Sequence, residues 1–145
     1  MQTILYGEYE LTIDDKGRML VPAEVRKSLD PERDGESFFL IVSGDGRPWM
    51  YAVKAYESMV SRLESQLSPT EDRLAFDRMN FGMTAKVEPD KQGRIVLPEK
   101  TLKRTNIGRD VTLVGARDHL ELWNRSDWEE YSQALIARRP KSPTI

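Results

Sequence analysis

Asp14-Asp15-Lys16-Gly17-Arg18 and Asp90-Lys91-Gln92-Gly93-Arg94 set an aspartate, a glycine and an arginine in one order and spacing at two places in the chain. An arginine on a loop tip holds a planar fork of donors toward solvent. That fork suits phosphate oxygens or the O6 and N7 acceptors of guanine. An aspartate just before it can cap the turn's amides and brace the guanidinium across the base of the loop. Lys16 and Lys91 stand at non-matching positions and add a second positive tip each, as expected of backbone contacts that need charge and little geometry. Gly17 and Gly93 stand where a tight turn needs a positive backbone angle, and Pro22 and Pro98 where a short helix can start. These two residue types explain the turn and the helix; the aspartate and arginine explain neither. Spacing alone leaves two readings open for them, a nucleic-acid contact or an internal ion pair that only shapes the loop and contributes little.

Other chemistry is hard to assemble. His119 is the single histidine and sits between a turn and the alternating Leu120-Glu121-Leu122, and no serine has the local context of an activated nucleophile. The chain has no cysteine, which removes thiolate nucleophiles and cysteine-rich zinc sites. No carboxylate spacing resembles a calcium loop or a metalloprotease helix, and Ser43-Gly44-Asp45-Gly46 lacks the ending of a phosphate loop. Trp49, Trp123 and Trp128 lie in apolar patterns that fit core or interface packing better than base stacking. The expectation is therefore no enzyme, no metal site and no cofactor.

Elements that position the loops follow from periodicity. Leu11 and Ile13 alternate with polar neighbours before the first loop and Met19-Leu20-Val21 follow it; Val87 and Ile95-Val96-Leu97 repeat this in register. Each copy reads as strand, turn, strand and short helix. Strands are then expected over Ser37 to Val42 and Trp49 to Ala52 in the first half, and over Val111 to Val114 and Leu120 to Trp123 in the second, with turns at Ser43-Gly44-Asp45-Gly46 and Ala116-Arg117-Asp118. An amphipathic helix closes each half, carrying Tyr56, Met59, Val60, Leu63 and Leu67 in the first and Trp128, Tyr131 and Leu135 in the second. Capping boxes are expected at Ser126-Asp127-Trp128-Glu129 and at Ser68-Pro69-Thr70-Glu71, the latter opening a bridge that carries Leu74, Phe76, Met79 and Phe81. The boundaries are a first repeat over 1–67, a bridging helix over 68–82, a second repeat over 83–137 and a basic, structureless tail over 138–145. Halves of this size would be marginal alone, so a shared core is expected.

With 22 basic and 24 acidic side chains the net charge is −2, which gives no whole-molecule support to a nucleic-acid partner; any such site must be local. No stretch matches a membrane span or a signal peptide, and a cytoplasmic protein with no membrane partner is expected.

On these residues, together with Ala23, Arg26, Leu113-Val114-Gly115 and Leu120-Glu121-Leu122-Trp123, the chain resembles the MraZ family, with two fused SpoVT/AbrB-type swapped-hairpin units, from about Tyr6 to Tyr131. It departs at Val25, where an aromatic is common, and at Asp45-Gly46-Arg47-Pro48. The resemblance implies an α+β, mainly β fold: a pseudo-two-fold double swapped-hairpin β-barrel with flanking helices. It also implies a sequence-specific DNA-binding repressor of the cell-division and cell-wall operon that encodes it, associated with the nucleoid. Arg18 and Arg94 would be the principal DNA contacts, Lys16 and Lys91 helpers, and Asp14, Asp90, Gly17 and Gly93 the loop's organisers. A ring-shaped homo-oligomer is implied as well, and pooling of small contacts by linked subunits then requires double-stranded DNA with repeated short sites. The competing reading is an oligomeric protein-interaction scaffold without DNA readout, motivated by the acidic balance and the apolar faces around Trp49 and Trp128.

Overall fold

Glu8–Thr12 alternates polar and apolar residues and forms a strand, β1, with every second side chain turned inward. The computed structural model describes residues 3–64 and 71–145. In chain order the first half continues with β2 (Arg18–Leu20), α1 (Ala23–Ser28), α2 (Pro31–Asp34), β3 (Phe38–Val42), β4 (Pro48–Ala52) and α3 (Val53–Glu64). Next come α4 (Glu71–Asp77) and a π-helical turn over Arg78–Gly82. The second half is β5 (Ala85–Val87), β6 (Arg94–Val96), α5 (Glu99–Arg104), β7 (Asp110–Gly115), β8 (Leu120–Asn124) and α6 (Arg125–Arg138).

Two antiparallel sheets result. Six strands run in the order β1-β7-β8-β4-β3-β5, and β2 pairs with β6 in a separate ribbon. The larger order reads the same from either end once the halves are exchanged, with β8 beside β4 at its centre. The first strand of each half pairs with a strand of the other, Leu11 with Val111 on one side and Phe38 with Val87 on the other. The two strands flanking each loop, expected on either side of a turn, therefore do not pair with each other but belong to different sheets. Hydrogen bonding ends at β1 and β5, and the ladder does not close on itself among the described residues. The architecture is α+β, mainly antiparallel β.

One shared core fixes the ribbon. Met19 and Ile95, facing each other at its centre, are buried together with Val21, Leu97, Leu40, Met50, Leu113 and Leu120. Burial of each such side chain stabilises by about 1.5–3 kcal/mol. Val25 is buried in the same core, so the departure from an aromatic is accommodated there. On the far face of the large sheet, Ile41 and Tyr51 pack with Tyr56 of α3, joined by Met59 and Val60 as expected. Trp123 is held between Trp128 and Tyr131 of α6.

Several expectations shift. Pro22 and Pro98 are the caps just before α1 and α5, not their first residues. The box at Ser126 does not form: α6 begins at Arg125 with Asn124 as its cap. Asn124 is occupied elsewhere, accepting from the Gly108 amide and donating to the Asn106 carbonyl. The capping box at Ser68 and the side chain of Leu67 lie outside the described residues. In the bridge, Leu74 and Phe81 are exposed. Residues 140–145 are exposed and carry no regular secondary structure.

Candidate nucleic-acid interface

Each loop is closed by its own backbone. The Asp14 amide donates to the Arg18 carbonyl and the Gly17 amide to the Asp14 carbonyl; Asp90, Arg94 and Gly93 repeat both bonds. Glycine is needed at the turn because φ is +78° at Gly17 and +83° at Gly93. A Cβ on Gly17 would also lie 2.8 Å from the Leu97 carbonyl oxygen. The loops are tied to each other as well, the Leu97 amide donating to Gly17 and the Val21 amide to Gly93.

The aspartates do in both copies what the spacing suggested. Asp14 accepts the amides of Lys16 and Arg18 on Oδ1 and the Arg18 Nε–H on Oδ2 at 2.6 Å. Asp90 accepts from Gln92 and Arg94 in the same way, with Arg94 Nε at 3.2 Å. The amide hydrogen bond from Arg18 chiefly holds the Asp14 carboxyl below its ordinary value, and that from Arg94 does the same for Asp90. Both stay charged at neutral pH. Each arginine is therefore engaged through Nε, while its Nη donors have no partner among the described residues. Of the two readings left open by the spacing, the internal ion pair is present in both loops, and it engages only the Nε side of each guanidinium.

Because β2 and β6 pair with Arg18 opposite Val96 and Leu20 opposite Arg94, both arginines share the outward face of one ribbon. Strand rise and spacing put them roughly 8 Å apart across its diagonal. Lys16 and Lys91 are exposed beside them.

Two cations join the site without a role having been read from the sequence. Arg26 donates from Nε to the Val21 carbonyl and lies against Gly93, where a Cβ would sit 2.6 Å from that nitrogen. Arg109 accepts the Ile13 amide on its carbonyl and pairs with Asp15 at 2.7 Å. Arg26 stood among the matching residues, but no sequence signal links Arg109 to a loop in the other half. Arg26 thus packs against the second loop, and Arg109 is paired with Asp15 of the first. The remaining candidates lie elsewhere. His119 has both ring nitrogens on carboxylates, Asp118 at 2.7 Å and Glu121 at 2.8 Å, and stacks on Trp49. Trp123 is buried and capped by Arg47 at 3.6 Å, so its ring is not free to stack on a base.

Fold and site together define a class: a duplicated α+β protein whose halves exchange strands and present one arginine each on the outward face of a common ribbon. The family model of the MraZ protein matches residues 4–78 and 80–142, so nearly all of the chain. The chain belongs to the MraZ family. It is 34% identical to the transcriptional regulator MraZ of Acetivibrio thermocellus over 129 residues, covering 89% of this chain and 87% of that one. The protein of that name from Moorella thermoacetica is 36% identical over 125 residues (86% and 84%), and that of Mycoplasmopsis pulmonis 32% identical over 131 (90% and 86%). A family of transcriptional regulators is not one of enzymes, in agreement with the reading of His119 and the serines. No described helix is long and apolar enough to cross a membrane.

Proposed function

We propose that this chain is a sequence-specific DNA-binding transcriptional repressor acting on the cell-division and cell-wall operon that encodes it. Arg18 and Arg94 are its principal DNA contacts, Lys16 and Lys91 assist on phosphates, and Asp14, Asp90, Gly17 and Gly93 organise the loops. The observation that carries this reading is the pair of arginines on one ribbon face, each braced at Nε by its aspartate with the Nη edge free. Such an edge offers the parallel donors that guanine O6 and N7 or a phosphate accept. The names of the relatives support a role in transcription.

We further propose that the halves, 1–67 and 83–137, are SpoVT/AbrB-type swapped-hairpin units forming one barrel, joined by a bridge over 68–82 and followed by a tail over 138–145. Strand exchange between β1 and β7 and between β3 and β5 supports the swapped arrangement. Copies of the chain assemble into a ring that gathers the ribbons on one face. The protein is cytoplasmic and associated with the nucleoid. Tyr131 and Ile136, exposed on α6, offer apolar surface for self-association. A monomer at net −2 neutralises few phosphates, so affinity must come from several copies engaging repeated short sites. Nuclease footprinting on the region upstream of the chain's own gene tests this. Protection of short repeats at constant spacing is expected, and uniform cleavage at protein concentrations that saturate other binding would contradict it.

A further inference from the structure

The ribbon that carries the two arginines also carries two large aliphatic side chains where solvent favours polar ones. Leu20 is 44% exposed and Val96 58% exposed. Successive strand residues point to opposite faces, so Arg18, Leu20, Arg94 and Val96 share the outward face while Met19 and Ile95 go into the core. A single exposed aliphatic residue needs no explanation. Here the exposure occurs twice, at equivalent places of the two halves, and each aliphatic side chain stands directly across from an arginine with free Nη donors.

The chemistry of that neighbourhood restricts what covers it. The flanking guanidiniums make a protein core a poor match, since burying them unpaired would cost more than the aliphatic contact returns. The DNA major groove fits better. It is about 12 Å wide, admits a two-stranded ribbon, and presents one apolar group among its donors and acceptors, the C5-methyl of thymine. Cross-strand neighbours lie about 5 Å apart at Cβ. Base pairs rise by about 3.4 Å. A side chain opposite an arginine therefore reaches one or two base pairs beyond that arginine's guanine.

We propose, resting on the DNA-reading role above, that Leu20 and Val96 contact thymine methyl groups, so that each arginine and the aliphatic residue across from it read a guanine with a thymine close by. Leu20 would act beside Arg94 and Val96 beside Arg18, each pair drawing one residue from either half. Specificity would then be lost in a graded way, with thymine positions contributing less than guanine positions.

The test uses the full chain and a pool of duplexes with a randomised centre, from which bound DNA is selected and the enriched duplex synthesised with thymine or with uracil, which lacks only the methyl. One methyl is worth about fourfold in affinity and two roughly fifteenfold. We expect the parent chain to bind the uracil duplex weaker by such a factor, and the Leu20→Ser, Val96→Ser double variant to bind both duplexes alike while keeping its melting temperature. Equal affinity of the parent chain for the two duplexes overturns the inference, as does a double variant that still discriminates to the parent's extent. Failure to enrich any duplex overturns the DNA-reading role itself, an outcome distinct from the other two.

Discussion

Asp14 performs two tasks with two oxygens, and they can be separated. Oδ1 takes the amides of Lys16 and Arg18, and Oδ2 takes the Arg18 guanidinium. Asp14→Asn keeps an oxygen for the amides and loses the charge on Nε, whereas Asp14→Ala loses both. Fluorescence anisotropy on duplex DNA should find Asp14→Ala roughly tenfold weaker than the parent, with Asp14→Asn between the two. Acid should undo the brace. Since both carboxyls titrate below their ordinary 3.8, what they contribute to stability is complete above that pH and disappears as pH falls through the lowered values. His119 has the opposite sign. Burial alone would lower its pKa, but hydrogen bonds and charge from Glu121 and Asp118 hold it above 6.5. A group raised in the folded state stabilises fully below its unfolded value and loses this as pH rises through the folded one. Melting temperature should therefore fall as pH rises above about 6.5 in the parent, and fall less in His119→Gln.

Strand β2 shows how one element serves packing and site at once. Met19 turns inward and Arg18 and Leu20 outward, so the core anchors the very residues that must face a partner. Chemical denaturation should find Met19→Ala destabilised by about 2–5 kcal/mol. Leu20→Ala, one residue on, should change stability by less than about 0.5 kcal/mol. At this scale the sequence was a good guide wherever the information is local. The Gly17 and Gly93 turns, the alternation in β1, the strands around Leu40 and Leu113 and the face of α3 are all readable because neighbours in the chain set them. Pairing partners are not local: nothing in Leu11 or Val87 states that each will cross to the other half. The contact of Arg109 with Asp15, 94 residues apart, was hidden for the same reason. Helix α2 was missed despite a legible signal, Asp30 capping the amides of Glu32 and Arg33 ahead of Pro31. The α6 start was misread because Asn124, tied to the 106–108 loop, took the cap position that Ser126 would have filled.

Across the whole molecule, a chain of net charge −2 carries Arg18 and Arg94 on one ribbon face, with Lys16 and Lys91 exposed on the loops beside it. Affinity for DNA should then depend steeply on salt, falling by about a thousandfold or more between 50 and 200 mM once several copies act together, whereas a single short site should bind weakly at any physiological ionic strength. A salt titration on duplexes carrying one and several sites measures both. Whether the two braced arginines read the DNA is tested most directly by a mobility-shift series with the parent, Arg18→Ala and Arg94→Ala on the footprinted region. Loss of a bidentate base contact costs about 1–3 kcal/mol at each site engaged. At least a fivefold loss of affinity is expected in each variant with the fold intact; affinity unchanged in both would contradict DNA reading by these arginines.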